Sequence, residues 1–202
     1  MASPHGGTAT RDVLLDHHRR ACLIFAGLVA AIGPEQWGLP TPCADWDVRT
    51  LVNHVVSWKL IVVELLAGRT PAAIAPMFGR DALGHDPVVA ANASVDAAIA
   101  AFAVDNALDS IVHHPFGDLP WSYVIMMRVF DNMLHGWDLA RAIGADERID
   151  AELVAAVFEW ASPQSEALHA SGAFAPVVEV PPDADSQTRL LALVGRRALA
   201  VE

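Results

Sequence analysis

The 202-residue sequence is poor in several things at once. It carries one lysine, Lys59, one tyrosine, Tyr123, and two cysteines, Cys22 and Cys43. Only 13 arginine and lysine residues stand against 24 acidic ones, a formal net charge of −11. Without a basic patch there is nothing to neutralise a phosphate backbone, so nucleic acid is not an expected partner. Two cysteines outside any CxxC pair exclude a disulfide framework and make a reducing cytoplasm the expected compartment. Few β-branched runs argue against a sandwich or barrel. The apolar stretch 21–33 (ACLIFAGLVAAIG) is too short to span a bilayer and follows an acidic, His-containing segment, unlike a leader peptide. It is read as a buried helix, and no membrane partner is expected.

What is present is apolar and helix-prone. Hydrophobic residues make up 53% of the chain and charged ones 18%, enough for a real core and against disorder. A first helix is expected from Thr10-Arg11-Asp12 through the stripe Leu14, Leu15, His18, Cys22, Phe25, Val29 and Ile32, ended by Gly33-Pro34. Asp47 can cap a second helix from Val48 to about Ala67, stopped by Gly68. Thr70–Asp86, broken by Pro71, Pro76, Gly79 and Gly84, reads as an excursion. Asp86-Pro87 opens a third helix running toward Leu108. His113–Asp118 reads as a solvated turn, and Pro120 begins a fourth helix reaching Gly144. A fifth follows Asp150, and after the Pro-rich Ala175–Pro182 a short helix runs from Ser186 to about Ala200. Four long helices with one or two accessory C-terminal ones predict an all-α four-helix bundle.

Two helices carry polar residues where a core stripe should be. On the second, Asp47, Leu51, His54, Trp58, Ile61 and Leu65 share a face, so His54 needs a partner for its imidazole. On the fourth, Arg128, Asp131, His135 and Asp138 line up at spacings of three and four on a helix otherwise hydrophobic nearly all round. Asp131 and His135, one turn apart, can reach a common metal ion, with His54 as a third ligand from another helix. A hydrogen-bonded Asp/His pair and a satisfied core histidine account for the same residues without a metal. His18 is either a core histidine or one at the rim of such a cavity. Arg128 can pair with Asp131 or hold an anionic substrate, and Asp138 can support His135 or face solvent. Trp46 and Trp137 flank these positions and can wall a pocket or simply pack. Neither Cys43 nor Cys22 has the cationic neighbours that would argue for a reactive thiolate, and both are expected to be structural.

A resemblance adds to this reading. Residues 40–54 (PTPCADWDVRTLVNH) resemble the TPCxxWxVxxLxxH signature of mycothiol-dependent maleylpyruvate isomerase N-terminal-like proteins. Residues 131–142 (DNMLHGWDLARA) resemble their second motif, (E/D)xxxHxWDLAxA. The tail from Phe174-Ala175-Pro176 to Arg189–Arg196 is similar to an actinobacterial metal-binding subfamily. The resemblance implies a DinB-like bundle over residues 10–170, with 171–202 as a C-terminal extension packing on it. It implies metal ligands at His54, Asp131 and His135, with Asp131 standing where the isomerases have Glu. Arg128, Asp138, Trp46 and His18 are the supporting or pocket candidates.

Three N/O ligands with open positions suit Zn²⁺, with Ni²⁺, Fe²⁺ and Mn²⁺ compatible. In the resembled enzymes the metal activates a low-molecular-weight thiol. The expected partners are therefore a mycothiol-type co-substrate and a small electrophile, acted on by a monomer or homodimer. The tail after about Ala170 is shorter than the isomerase's added domain. A related thiol transferase, or an enzyme with another small substrate, is thus expected rather than the isomerase itself. The rival is a non-catalytic helical module with a structural or vestigial metal.

Overall fold

The computed structural model describes residues 5–105 and 107–198. Contacts divide the chain into two compact units, Met1–Asp146 and Glu147–Glu202. The first is built on four helices: α1 (His5–Ala30), α2 (Val48–Leu66), α4 (Pro87–Ala103) and α5 (Trp121–Ile143), with the one-turn α3 (Pro71–Ile74) between α2 and α4. Each long helix packs on two others, in the ring α1–α4–α2–α5, which sets α1 diagonally across from α2. This is the expected four-helix bundle.

Local chemistry places the helix ends. The Asp47 carboxylate accepts from Thr50 N at 2.7 Å and Asp86 from Val89 N at 3.0 Å, so both expected caps form. Gly144 closes α5 at φ 71°, a left-handed conformation that glycine adopts without Cβ strain. One end of the core gathers Phe25, Val29, Val48, Leu51, Val52, Val55 and Leu139. The other gathers Ile61, Val62, Leu65, Phe102, Trp121, Val124 and Ile125. Helix α5 is buried along most of its length, with Arg128, Asn132, His135 and Asp138 among its buried residues. No helix among the described residues is long and apolar enough to cross a membrane.

The structure corrects several sequence expectations in this unit. Helix α4 stops at Ala103, because Val104 turns extended (φ −56°, ψ 135°), and Leu108 packs on the core from a loop. His113–Asp118 is a β-hairpin, not a solvated turn. Strands β1 (Ile111–His114) and β2 (Gly117–Pro120) pair antiparallel, with His114 opposite Gly117 and Ile111 opposite Pro120. Pro120 sits at the ladder's end, where its missing N–H costs nothing. The 70–86 excursion still buries Ile74 and Leu83, and Asn53 ties it down through Arg80 O and Ala82 N.

In the second unit α6 (Ala151–Ala161) packs on α8 (Ser186–Leu193), with α7 (Ser165–Ala170) after α6. Asp150 and Asp185 cap α6 and α8. Gln187 bonds both Ile149 N and Glu147 O, fastening α8 to the strand of chain before α6. Helix α8 ends at Leu193, and its expected end at Ala200 lies outside the described residues. At Gly195 (φ 77°) an added Cβ would meet Ala175 at 2.6 Å, so this position requires glycine on two counts.

Candidate metal centre

The site begins with the phase of α2. Its buried face runs through Val48, Leu51, Val52, Val55, Val56, Lys59, Ile61, Val62 and Leu65, not through His54. His54 and Trp58 lie at the edge of that face, and the His54 side chain is 27% exposed. The apolar stripe expected to contain His54 is thus rotated by part of a turn. That rotation puts its imidazole at a rim, facing α5.

Across the gap, α5 presents Asp131 and His135 one turn apart. His54 Nε2 lies 3.6 Å and His135 Nε2 3.7 Å from the same Asp131 oxygen, Oδ1. The three donor atoms all fall within 4.8 Å of one another. Both Asp–His separations are too long for good hydrogen bonds. They match instead the edge of a coordination tetrahedron, about 3.4 Å for ligands about 2.1 Å from a shared ion. Asp131 Oδ2 has no hydrogen-bond partner, only the Arg128 guanidinium at 3.5 Å. A nearly buried carboxylate oxygen with so few protein donors is chemically suited to a cation. The residues present therefore fit a divalent ion.

Electrostatics favour the anionic form of that carboxylate. Burial opposes its ionisation, but the Arg128 guanidinium and the neighbouring His54 and His135 imidazoles prevail and hold its carboxyl well below the usual range. Arg128 is buried and lies over the Trp58 ring at 5.0 Å, which fixes its position beside Asp131. Arg128 stands in an ion pair with Asp131.

The surrounding shell is specific. Asp138 is fully buried and accepts from His135 Nδ1 at 3.0 Å. A carboxylate can only accept, so Nδ1 is the donor, and the neutral tautomer this favours is the one that leaves Nε2 open toward Asp131. Asp138 therefore supports His135 rather than facing solvent. Trp46 covers both histidines, with ring centroids 4.7 Å from His54 and 5.7 Å from His135. Trp137 is buried, with the Arg141 guanidinium over its ring at 4.4 Å.

His18 is not brought to the trio. It is buried on α1 beside Cys22, with Nε2 3.5 Å from Sγ and its ring edge-on to Phe102 at 4.6 Å. Burial, with help from Lys59 and Arg128, pushes its pKa down to about 3, so it is neutral. Three further residues escaped the sequence reading. Cys43, expected to be structural, places Sγ 3.2 Å from Asp138 Oδ2 and 3.7 Å from His135 Nδ1. Lys59 is buried with Nζ over the Phe25 ring at 4.5 Å and no hydrogen-bond partner. His114 is buried and stacked on Trp58 at 5.6 Å. Lys59 could have been found from its spacing, four residues after Val55 and three before Val62. Nothing local to 40–47 shows what Cys43 faces.

The profile of the mycothiol maleylpyruvate isomerase N-terminal domain family matches residues 18–140, a span that contains the whole candidate centre. The chain belongs to this family. Its bundle is accordingly the DinB-like four-helix fold that the two motifs implied. Two Mycobacterium tuberculosis proteins, from strains CDC 1551 / Oshkosh and ATCC 25618 / H37Rv, are each 35% identical to it over 137 residues. The alignments cover 67% of this chain and 70% of each relative, and both relatives are described only as uncharacterized. No solved structure matches the chain.

Proposed function

We propose that the first unit holds one divalent cation on His54, Asp131 and His135, and uses it in an enzymatic reaction of a low-molecular-weight thiol. The observation that carries this reading is the approach of two imidazole Nε2 atoms to one oxygen of a buried carboxylate at non-hydrogen-bonding distance. Zn²⁺ is the favoured ion for two nitrogens and one oxygen with positions left open, and Ni²⁺, Fe²⁺ and Mn²⁺ are the alternatives. When bound, the ion supplies Lewis acidity that lowers the pKa of a coordinating thiol, and the thiolate is the nucleophile. Membership of a mycothiol-associated family supports a mycothiol-type thiol and a transferase or isomerase-like reaction with a small electrophile.

The chain's own residues divide the remaining work. Asp138 keeps the His135 proton on Nδ1, leaving Nε2 free to coordinate. Arg128 balances the Asp131 charge and limits where that side chain can move. Trp46 shields one side of the two imidazoles from water. Two free cysteines and thiol chemistry suit a reducing compartment, and we place the protein in the cytoplasm.

Elemental analysis of untagged protein purified without chelators tests the site. The expected result is about one divalent ion per chain, lost in His54→Ala and His135→Ala. A metal-free preparation that also refuses added Zn²⁺ would sink the proposal. Stoichiometric metal without turnover of any thiol with an electrophile panel would leave a structural metal, the rival reading.

A further inference from the structure

Cys43 is not among the three converging donors, yet its thiol is built into their support. Its loop is closed on itself: Cys43 N donates to Thr41 Oγ1 at 3.2 Å, and Thr41 Oγ1 donates to Trp46 O at 2.9 Å. Trp46 N donates back to Cys43 O at 3.1 Å, and a backbone bridge joins Pro40 to Asp47 at the start of α2. Asp45 takes a positive φ of 65° within this turn, a conformation Asp tolerates better than most residues. The loop thereby carries Trp46 over the histidines and Cys43 against α5.

There the thiol donates to Asp138 Oδ2, the same oxygen that accepts from His135 Nδ1. Asp138 is fully buried, and a carboxylate so placed requires donors to hold its charge and its rotamer. One donor, Nδ1–H, belongs to the residue being positioned. A second, the Cys43 thiol, comes from a separate segment of chain, so it anchors the carboxylate independently of His135. We propose that Cys43 is a positioning residue for His135. Its thiol hydrogen bond anchors Asp138 Oδ2, and Oδ2 holds Nδ1–H so that Nε2 stays aimed at Asp131 and His54.

The consequence for a cation rests on the proposed function, but the relay itself is a property of the metal-free protein and can be read there. The test uses the full chain and the variants Cys43→Ala, Cys43→Val and Cys43→Ser. Valine keeps bulk without a donor, so it repeats the loss should the alanine variant fold poorly. Serine restores the donor. Nitrogen-15 NMR of the metal-free proteins reads the His135 tautomer. The Nδ1–H form should dominate in wild type and Cys43→Ser, and mix with the Nε2–H form in Cys43→Ala and Cys43→Val. Competition for Zn²⁺ against a chromogenic chelator should show affinity reduced about tenfold without the donor and restored by serine. Unchanged tautomer and affinity in both donorless variants would overturn the proposal. So would a sulfur-to-cobalt charge-transfer band in Co²⁺-loaded wild type that Cys43→Ser lacks, because Sγ would then be a ligand itself. If wild type takes up neither ion, the proposed function fails, and the tautomer measurement still decides Cys43.

Discussion

Two polar clusters sit inside the same bundle, and they differ in one respect that matters. His54, Asp131 and His135 converge, with three donor atoms within 4.8 Å, a carboxylate behind one imidazole and a rim position for the other. His18, Cys22 and Lys59 are buried more deeply, on α1 and α2, but Lys59 meets an aromatic face and His18 meets a thiol and Phe102. Both clusters perturb ionisation, so a displaced pKa does not distinguish them. Convergence of lone pairs on a shared point does. The first cluster has the geometry of a candidate cation site, whereas the second is a set of polar groups in a core.

The comparison can be broken most forcefully at His135. His135→Ala should abolish high-affinity metal binding, a loss beyond about 100-fold in chelator competition, while Lys59→Met leaves affinity unchanged. Equal effects from the two variants would erase the distinction between the clusters. Asp138→Asn comes next. An amide can present its NH₂ to Nδ1 and favour the wrong tautomer, so affinity should fall about 10- to 100-fold with little change in melting temperature.

Lys59 sharpens the other side. Burial, the first cause, pushes its pKa down to about 8 from an ordinary value near 10.5. The unfolded chain therefore binds more protons between these values, and the folded state gains stability as pH rises from about 8 to about 10.5. Lys59→Met should flatten that slope and stabilise the protein at pH 7 by about 1–3 kcal/mol in urea unfolding, because an unpaired buried ammonium is removed. Destabilisation by this substitution would assign Lys59 a role the comparison denies it.

The buried imidazoles act at the acid end. His18 and His114 are pushed down to about 3 and about 4, in each case chiefly by burial. Both stay neutral in the fold while the unfolded chain protonates them below about 6.5, so stability should drop as pH falls from there toward 4. His18→Gln should make that drop shallower in unfolding measured at pH 5. The smallest effect is expected at Asp47→Ala, about 1 kcal/mol from the lost cap of α2. Metal affinity should be almost untouched, since His54 lies two turns inside the helix.

Much of the bundle was legible because caps and stops are local chemistry. Asp47, Asp86, Asp150 and Gly144 each mark an end through hydrogen bonds or backbone freedom that reach only a few residues. The hairpin at 111–120 was not legible, since its pairing joins two four-residue strands that carry little periodicity of their own. At the site, the i,i+4 spacing of Asp131 and His135 was plain, and the addition of His54 agreed with the family motif. The phase of α2 was misjudged because His54 and Trp58 were grouped with the buried Leu51, Ile61 and Leu65. The real face also takes in the valines and Lys59 and leaves His54 and Trp58 at its edge. Cys43 was invisible for a different reason: its partners lie 92 and 95 residues away.

By itself, then, the sequence determined the helix-rich class, most helix ends and the pair of motifs that bear the donors. These depend on interactions within one turn of a helix or one loop. Only the tertiary structure decided that the α2 histidine reaches the α5 carboxylate while the α1 histidine does not. It alone decided that Asp138 turns inward to take both Nδ1–H and a thiol. The physical reason is that such choices follow the rotation of each helix about its own axis. That rotation is set by how the whole apolar surface packs, and no short stretch of residues contains it.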